Sequence, residues 1–415
     1  MGSNAMLNKF LDKIKTFNTL RSYRDFRVLW ISNFGYQLGW WMQLLVMGWL
    51  AYEITNSPFL VAMFTAVRLS PSLFGPLVGS IGDKFDRRKI LISAQGVQAA
   101  FAVLLAVLLS TGLIQFWHLM VLGFLQGVIW NVTYTTSYAL AIDIVGKDNV
   151  TNAIALNVVA MDVTRVIGPA VGGLLISFLG PAPCFWIVSG LAVLSVIILI
   201  FYLRATLSKR VIGEVSALQN LVEGFKYVIH SRDMLTVLAV SFAANIFLWP
   251  AYQSFMPVFA KENFGQGVEG LGFLMTSMGA GALISAIIIA SMGNFRWKGL
   301  LYLVGTALLA VFFGSFAISR NFILGLILIG LAGLASTAFG TMQSTLMLIL
   351  APEDMRARCI GFLSMAIGVY SFGSLALGGV AQIFGASLAT GVSCAILLFI
   401  IIGLALGFPN LRRLG

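Results

Sequence analysis

The sequence predicts an all-α membrane protein, with twelve transmembrane helices in two pseudo-symmetric six-helix bundles. Three observations carry that expectation. Hydrophobic residues make up 59% of the chain and charged residues only 10%, against about 25% charged in a soluble domain. So much apolar surface does not fit inside a soluble core, and the bilayer has to serve as part of the solvent. Apolar runs of spanning length recur along the whole chain, each long enough for the roughly 20 residues that a crossing needs. Lysine and arginine cluster in alternate connections between those runs, as the positive-inside rule requires.

In chain order, Met1–Ala5 reads as an expression scar with the native start at Met6. Residues 6–27 are polar and basic, and no cleaved signal peptide is expected there. Spans are expected near 28–51, 58–80, 89–110, 117–142, 152–178 and 184–203, forming an N-terminal bundle over 28–203. A C-terminal bundle over 234–408 follows, with spans near 234–260, 269–292, 299–318, 322–350, 357–383 and 387–408. Between the bundles, Leu218, Leu221, Val222, Phe225, Val228 and Ile229 recur at helical spacing among charged neighbours. Residues 204–233 therefore read as a cytoplasmic amphipathic linker on the membrane surface. Residues 409–415 form a short tail.

Orientation follows from the basic residues. With both termini in the cytoplasm, every Lys and Arg falls on the cytoplasmic side except Lys261, Arg320, Arg68 and Arg165. Lys261 and Arg320 are left on the outer side, and the two remaining arginines fall inside apolar runs. The protein is expected in the cell inner membrane as a multi-pass monomer. A weak internal repeat supports two parallel halves: Asp148–Gly173 resembles Asp354–Gly379, each running from a charged turn to paired glycines.

Other classes are excluded by what is missing. The net charge of +11 sits in short connections, where its natural partner is anionic lipid. No basic, aromatic-interleaved segment points to nucleic acid. Cys184, Cys359 and Cys394 are far apart, and His118 and His230 are isolated, so neither a disulfide framework nor a metal site is expected. No nucleophile–base pair and no phosphate-cradling loop occur, so the chain is not expected to be an enzyme and needs no cofactor. Energy then comes from an ion gradient or a substrate gradient.

Two motifs narrow the reading. The turn Gly79, Gly82, Asp83, Lys84, Phe85, Asp86, Arg87, Arg88 and Lys89 resembles the loop between the second and third helices of the major facilitator superfamily. The family's usual glycine is replaced by Asp86. That form resembles the branch of siderophore exporters and macrolide efflux proteins, as do Thr55 to Pro58, Arg68 followed by Pro71, and Asn152, Ala153 and Asn157. Gly168, Pro169, Gly172 and Gly173 in the fifth span resemble the superfamily's antiporter motif, with Thr164 in place of its upstream glycine. Proline bends a helix and small residues admit a close neighbour. The fourth span lacks the arginine of many proton-coupled members, reading Gln126, Asn131, Tyr134 and Tyr138 instead.

The resemblance implies a secondary transporter working by alternating access. The first, fourth, seventh and tenth spans would line its cavity. They carry Tyr36, Gln37, Trp40 and Gln43; Asn131 and Tyr134; Asn245, Trp249, Tyr252 and Gln253; and Gln343. Such a mixture suits a hydrophobic or amphiphilic small organic molecule held by a few hydrogen bonds. Export is expected over uptake, with a lipid or lysolipid flippase as a further alternative. A cytoplasmic gate is expected from Gly79, Asp83, Arg87, Arg88 and Asp143 as a charge network. Arg68, Asp162 and Arg165 fall near the bilayer midplane, where a charge costs at least about 2.5–3.5 kcal/mol unless paired or wetted. Asp162 is expected to pair with one arginine and to be the proton carrier of an antiporter. The other arginine would face substrate, favouring anionic or neutral compounds over cations.

Overall fold

The computed structural model of the chain describes residues 15–74, 86–146, 149–204, 231–293, 295–352 and 368–408, with Val228, Met355, Cys359, Leu363, Ala366, Asn410 and Arg412. The expected amphipathic linker and most of the turn before Asp86 lie outside them. The described residues are helical, with no strand among them.

A short helix α1 (Lys15–Ser22) precedes α2 (Arg24–Thr55) and α3 (Pro58–Leu69), which runs on as a 3-10 turn at Ser70–Phe74. There follow α4 (Arg87–Ser110), α5 (Phe116–Val145), α6 (Val150–Leu179) and α7 (Pro181–Tyr202). The second half holds α8 (Arg232–Phe247), α9 (Trp249–Val258), α10 (Val268–Ser291), α11 (Lys298–Ile318), α12 (Phe322–Leu350), α13 (Tyr370–Phe384) and α14 (Ala386–Gly407). Where both ends are described, they fall within a few residues of the sequence expectation.

Among the described residues, nine helices are long and apolar enough to cross a membrane, α8 and α9 counting together as Arg232–Asn263. Outside that set are α2, whose Asn33, Gln37 and Gln43 dilute its apolar run, and α3 and α13, whose described parts are too short.

Local chemistry explains the breaks. Asn56 closes α2 in the left-handed conformation (φ 46°), which asparagine tolerates better than most residues. Ser57 then caps α3 by accepting from the Leu60 amide, and Pro58 takes the first turn, where its missing N–H is harmless. Asp86, the departure from the family's glycine, caps α4 by accepting from the Arg88 amide at 2.9 Å. The seventh expected span is broken: Leu248 separates α8 from α9, and Pro250 opens the new helix. It ends in a π-helical turn, Phe259–Asn263. Within the polar, basic N-terminal segment the structure forms α1, with Thr19 buried and α1 packed on α6.

The halves divide between α7 and α8. In the first, α2 packs on α6 and α7, and α4 on α7 and α5. In the second, α12 packs on α10 and α11, and α11 on α14. The halves meet along α6 with α10 and along α3 with α13.

Candidate functional site

The seam between the halves is built on small residues. An ideal Cβ on Gly173 would stand 2.9 Å from the Val268 carbonyl oxygen, and one on Gly272 2.7 Å from that of Pro169. Gly168 and Gly172 turn to α2, where a Cβ would meet Trp41 at 2.6 Å and Met42 at 3.4 Å. The antiporter-like motif thus lets α6 touch α2 and α10 at once. Thr276 adds a bond to the Val166 carbonyl at 3.1 Å.

We call distal the end where α2 finishes and α3 begins. There the Tyr52 hydroxyl donates to Glu262 at 2.5 Å, and Lys261 lies 5.4 Å from the centre of the Tyr52 ring. The Ser57 hydroxyl donates to Gln382 at 2.7 Å, and the Phe59 amide to the same oxygen at 3.3 Å. Every hydrogen bond between described residues of the two halves lies at this end or at mid-helix.

At mid-helix stand the three expected charges. Arg68 is 4% exposed and donates to the Gln253 side-chain oxygen at 3.3 Å, while its Nε has no partner. Arg165 lies with its guanidinium carbon 5.7 Å from the Trp41 ring centre, and its Nε is also unpartnered. The Tyr252 hydroxyl is in hydrogen-bonding reach of Arg165, and Tyr370 of α13 is in Coulomb range. Asp162 lies in Coulomb range of Arg165 and of Tyr138, but among the described residues no ion pair joins it to either arginine. The pairing expected for Asp162 is therefore not formed in this conformation. The reason is partly geometric: one turn of α6 directs Arg165 to the second half, against Tyr252 and Tyr370, and leaves Asp162 beside α5.

Aromatic rings connect these charges. Trp41 meets Trp40 edge-on at 4.9 Å, and Trp40 stacks on Trp130 at 4.0 Å. Trp130, Tyr134 and Tyr138 then follow at i, i+4 and i+8 on one face of α5. Tyr134 is 41% exposed. Beside this ladder is a polar cavity of about 20 Å³, walled by Asn33, Tyr36, Gln37, Thr133, Ser137 and Asn157. Gln37 and Asn157 each leave a buried polar atom unpartnered, and the Tyr36 hydroxyl is in hydrogen-bonding reach of Thr133; a space of that size suits a single bridging water.

Other expected cavity residues turn elsewhere. Gln43 accepts from Gln98 of α4 at 2.7 Å, inside the first half. Asn131 donates to Ser72 and to the Gly127 carbonyl, tying α5 to the end of α3. Asn245 donates to the Ala366 carbonyl at 2.9 Å, inside the second half. Trp249 lies near Tyr252 and Phe339, and Gln343 is buried with its oxygen unpartnered. Tyr252 and Gln253 reach the seam, where they share a cavity of about 30 Å³ with Trp41 and Met256. Trp41, Trp130, Thr133 and Tyr370 are not among the residues that the sequence singles out; an aromatic one helical turn before Tyr134 is the available signal for Trp130.

Away from the distal end, Arg87 and Asp143 form an ion pair joining α4 to α5, and Arg88 donates to the Ile200 carbonyl at 3.1 Å. Gly79 and Asp83 lie outside the described residues. No group of metal-ligating side chains occurs among those described. An apolar crevice of about 420 Å³ opens between α8, α13 and α14, lined by Phe247, Leu377, Val380 and Leu388 among others.

A family model described as transmembrane secretion effector matches residues 14–413. The enterobactin exporter EntS of Shigella flexneri is 23% identical over 406 residues, covering 95% of this chain and 94% of that protein. The staphyloferrin A transporter of Staphylococcus aureus is 23% identical, covering 85% and 89%. The uncharacterized MFS-type transporter YfiS of Bacillus subtilis is 27% identical, covering 92% of each. Among solved structures, a POT family transporter in complex with 5-aminolevulinic acid superposes with a TM-score of 0.77 at 9% identity, covering 94% and 97%. The nucleoside transporter NupG does so with 0.75 at 13%, covering 93% and 99%. These structural likenesses show the fold.

Proposed function

The chain belongs to the transmembrane secretion effector family of the major facilitator superfamily, and from that premise we propose that it exports an amphiphilic small organic molecule by alternating access. Twelve spans in two bundles, with both termini in the cytoplasm and the distal end facing outward, complete the reading. The observation that carries it is the arrangement beneath the joined distal end. Rings of Trp41, Trp40, Trp130, Tyr134 and Tyr138 form a continuous aromatic wall, and Arg165 and Asp162 stand beside it. Such a wall binds a flat or greasy body of varied shape, with the polar groups setting its orientation.

Cargo enters from the cytoplasmic side and meets the aromatic wall. The halves then rock about the glycine-lined seam, the distal bonds of Tyr52, Ser57 and Gln382 break, and the cargo leaves. Asp162, unpaired and close to the cavity, takes a proton on the outward-facing side and releases it inward, which makes the cycle an antiport. Relatives that export enterobactin or carry staphyloferrin A support export of a siderophore-like molecule as the first cargo to try. The test is directional: proteoliposomes of known orientation, loaded on one side, with an imposed pH gradient. Accumulation on the side topologically equivalent to the cytoplasm would establish an uptake carrier instead. The lateral apolar crevice fits an acyl chain and favours the flippase alternative. A fluorescent-lipid translocation assay separates that alternative from soluble-cargo export.

A further inference from the structure

We propose that the polar cavity beside the aromatic wall reads one neutral hydroxyl group of the ligand, which takes the place of a water, and that Asn157 and Gln37 are the residues that read it. Calling this ligand the cargo rests on the export reading; the preference of the cavity does not.

The cavity is built within one half of the molecule. Asn33, Tyr36 and Gln37 come from α2, Thr133 and Ser137 from α5, and Asn157 from α6. Several of these groups are already engaged. The Asn33 side-chain oxygen accepts from Gln95 at 3.3 Å and from Ser137 at 3.2 Å, which uses both of its lone pairs. The Tyr36 hydroxyl is in reach of Thr133. Asn157 is different: it is 3% exposed, and neither its oxygen nor its nitrogen has a partner among the described residues. The Gln37 oxygen is buried in the same condition. The polar network of Ser32, Asn33, Gln95 and Ser137 closes without these two amides. A buried polar group without a partner is costly, and most find one. Two such side chains line one space.

Size limits the occupant. A space of about 20 Å³ holds one water-sized group. Hydrogen-bonding capacity limits it further. Asn157 offers an acceptor and a donor, and Gln37 offers an acceptor, so the occupant has to donate and accept at once. Water does so, and among organic groups of that size a hydroxyl does. A carboxylate brings acceptors only and would face two amide oxygens. An ammonium brings donors only and would leave the Asn157 N–H unmet. No charged side chain lines the cavity to compensate either ion; Asp162 stands outside it, in Coulomb range of Tyr138.

The other wall is where a ligand body lies. Trp130, Tyr134 and Tyr138 also line the cavity. Their rings form the ladder on α5, and Tyr134 is 41% exposed. A flat or greasy molecule resting on those rings has the amides within reach of a hydroxyl at its edge. A ligand group that reproduces the hydrogen bonds of a displaced water keeps its affinity, and one that does not loses it.

The test uses the purified full chain and four probes on one ring system: 2-naphthalenemethanol, its apolar isostere 2-ethylnaphthalene, the cationic 2-naphthylmethylamine and the anionic 2-naphthoate. Binding is read as saturable thermal stabilisation. The quantity compared is the ratio of alcohol to hydrocarbon affinity in wild type and variant, because the uptake of each probe into detergent then cancels. Asn157→Leu should lower that ratio roughly three- to tenfold, as the loss of a hydrogen bond predicts, with 2-ethylnaphthalene affinity held within about twofold. Gln37→Leu should lower it by a smaller factor, and it carries the test if Asn157→Leu does not fold. A ratio unchanged in both variants means a bridging water only and overturns the proposal. Equal weakening of all four probes means that the amide shapes the wall without reading the hydroxyl, and also overturns it. If Asn157→Leu weakens the amine or the acid more than the alcohol, the cavity reads an ion and the proposal fails. Hydroxyl preference in a protein that fails the directional proteoliposome assay counts against the export reading and leaves the site standing.

Discussion

Removing one hydroxyl tests the distal closure. Tyr52→Phe deletes the donor to Glu262 while keeping the ring under Lys261. The cation–π contact of about 0.5–1 kcal/mol therefore stays, and only the hydrogen bond is lost. A bond to a charged group contributes about 1.5–3 kcal/mol. Glu262 is exposed, and solvent brings the contribution to the low end of that range, about 1.5 kcal/mol. Since about 1.4 kcal/mol is a factor of ten, the distal-open population should rise roughly tenfold. Thiol labelling reads that population, because Cys184, Cys359 and Cys394 are all buried and give little background. Met256, 3% exposed and lining the seam cavity, is the reporter position as Met256→Cys. A membrane-impermeant maleimide applied from the distal side should label Met256→Cys about tenfold faster when Tyr52→Phe is added, and by a smaller factor with Glu262→Gln. An unchanged rate in both backgrounds would refute the claim that this bond holds the distal end shut.

Other outcomes follow from the same geometry. Asp162→Asn should abolish the dependence of transport on a pH gradient while binding of a neutral cargo changes by no more than a few-fold; a retained pH profile would move coupling to another residue. Gly127→Val would place a Cβ 2.0 Å from the Arg68 carbonyl oxygen, and overpacking of this kind costs about 1–3 kcal/mol or more. Its thermal midpoint should fall, whereas Gly190→Ala, with open space at its Cβ, should not. The Arg87–Asp143 pair is partly exposed, so a double-mutant cycle of Arg87→Gln with Asp143→Asn should give a coupling of about 1 kcal/mol or less in stability. A much larger value would mean the pair carries fold stability.

Much of the fold was legible because hydropathy averages over many residues. Twenty apolar positions outvote any one misread side chain, so helix ends fell within a few residues. What averaging hides is the single polar residue whose partner lies on another helix. Gln95 and Gln98 in α4 look like blemishes in an apolar run, yet Gln95 donates to Asn33 and Gln98 to Gln43. Those bonds turn Gln43 inward, away from the cavity face on which its helix position alone had placed it. The break after Leu248 was written in Trp249–Pro250, a proline at a helix start, but a continuous hydropathic run masks such a stop. The α1 helix was missed because eight mostly polar residues give too few periods to count. The charges expected at mid-membrane stand out in the sequence for the opposite reason: an arginine in an apolar run is conspicuous by itself. Their partners depend on which way each side chain leaves its helix, and that required the structure.

The two halves of the chain differ in what fills them. In the first, amides and hydroxyls of Ser32, Asn33, Gln43, Gln95, Gln98 and Ser137 join across three helices, with Ser32 also donating to the Ser195 carbonyl of α7, and Arg68, Asp162 and Arg165 lie on two further helices, α3 and α6. In the second, the region toward the distal end is packed with Phe255, Phe259, Phe313 and Phe316, ring against ring. Buried polar networks hold their geometry only when each member keeps its partner, whereas aromatic packing tolerates small displacements of a neighbour. The first half is thus suited to fix the positions of Arg68, Asp162 and Arg165, and the second to move against it as a greasy wall. Its polar contributions at the seam, Tyr252, Gln253 and Tyr370, sit where the wall meets those charges. Rocking then changes the surroundings of the arginines without rebuilding the network that holds them. In the proposed cycle, that division of labour would keep the charged positions in place through both facing states while their access changes.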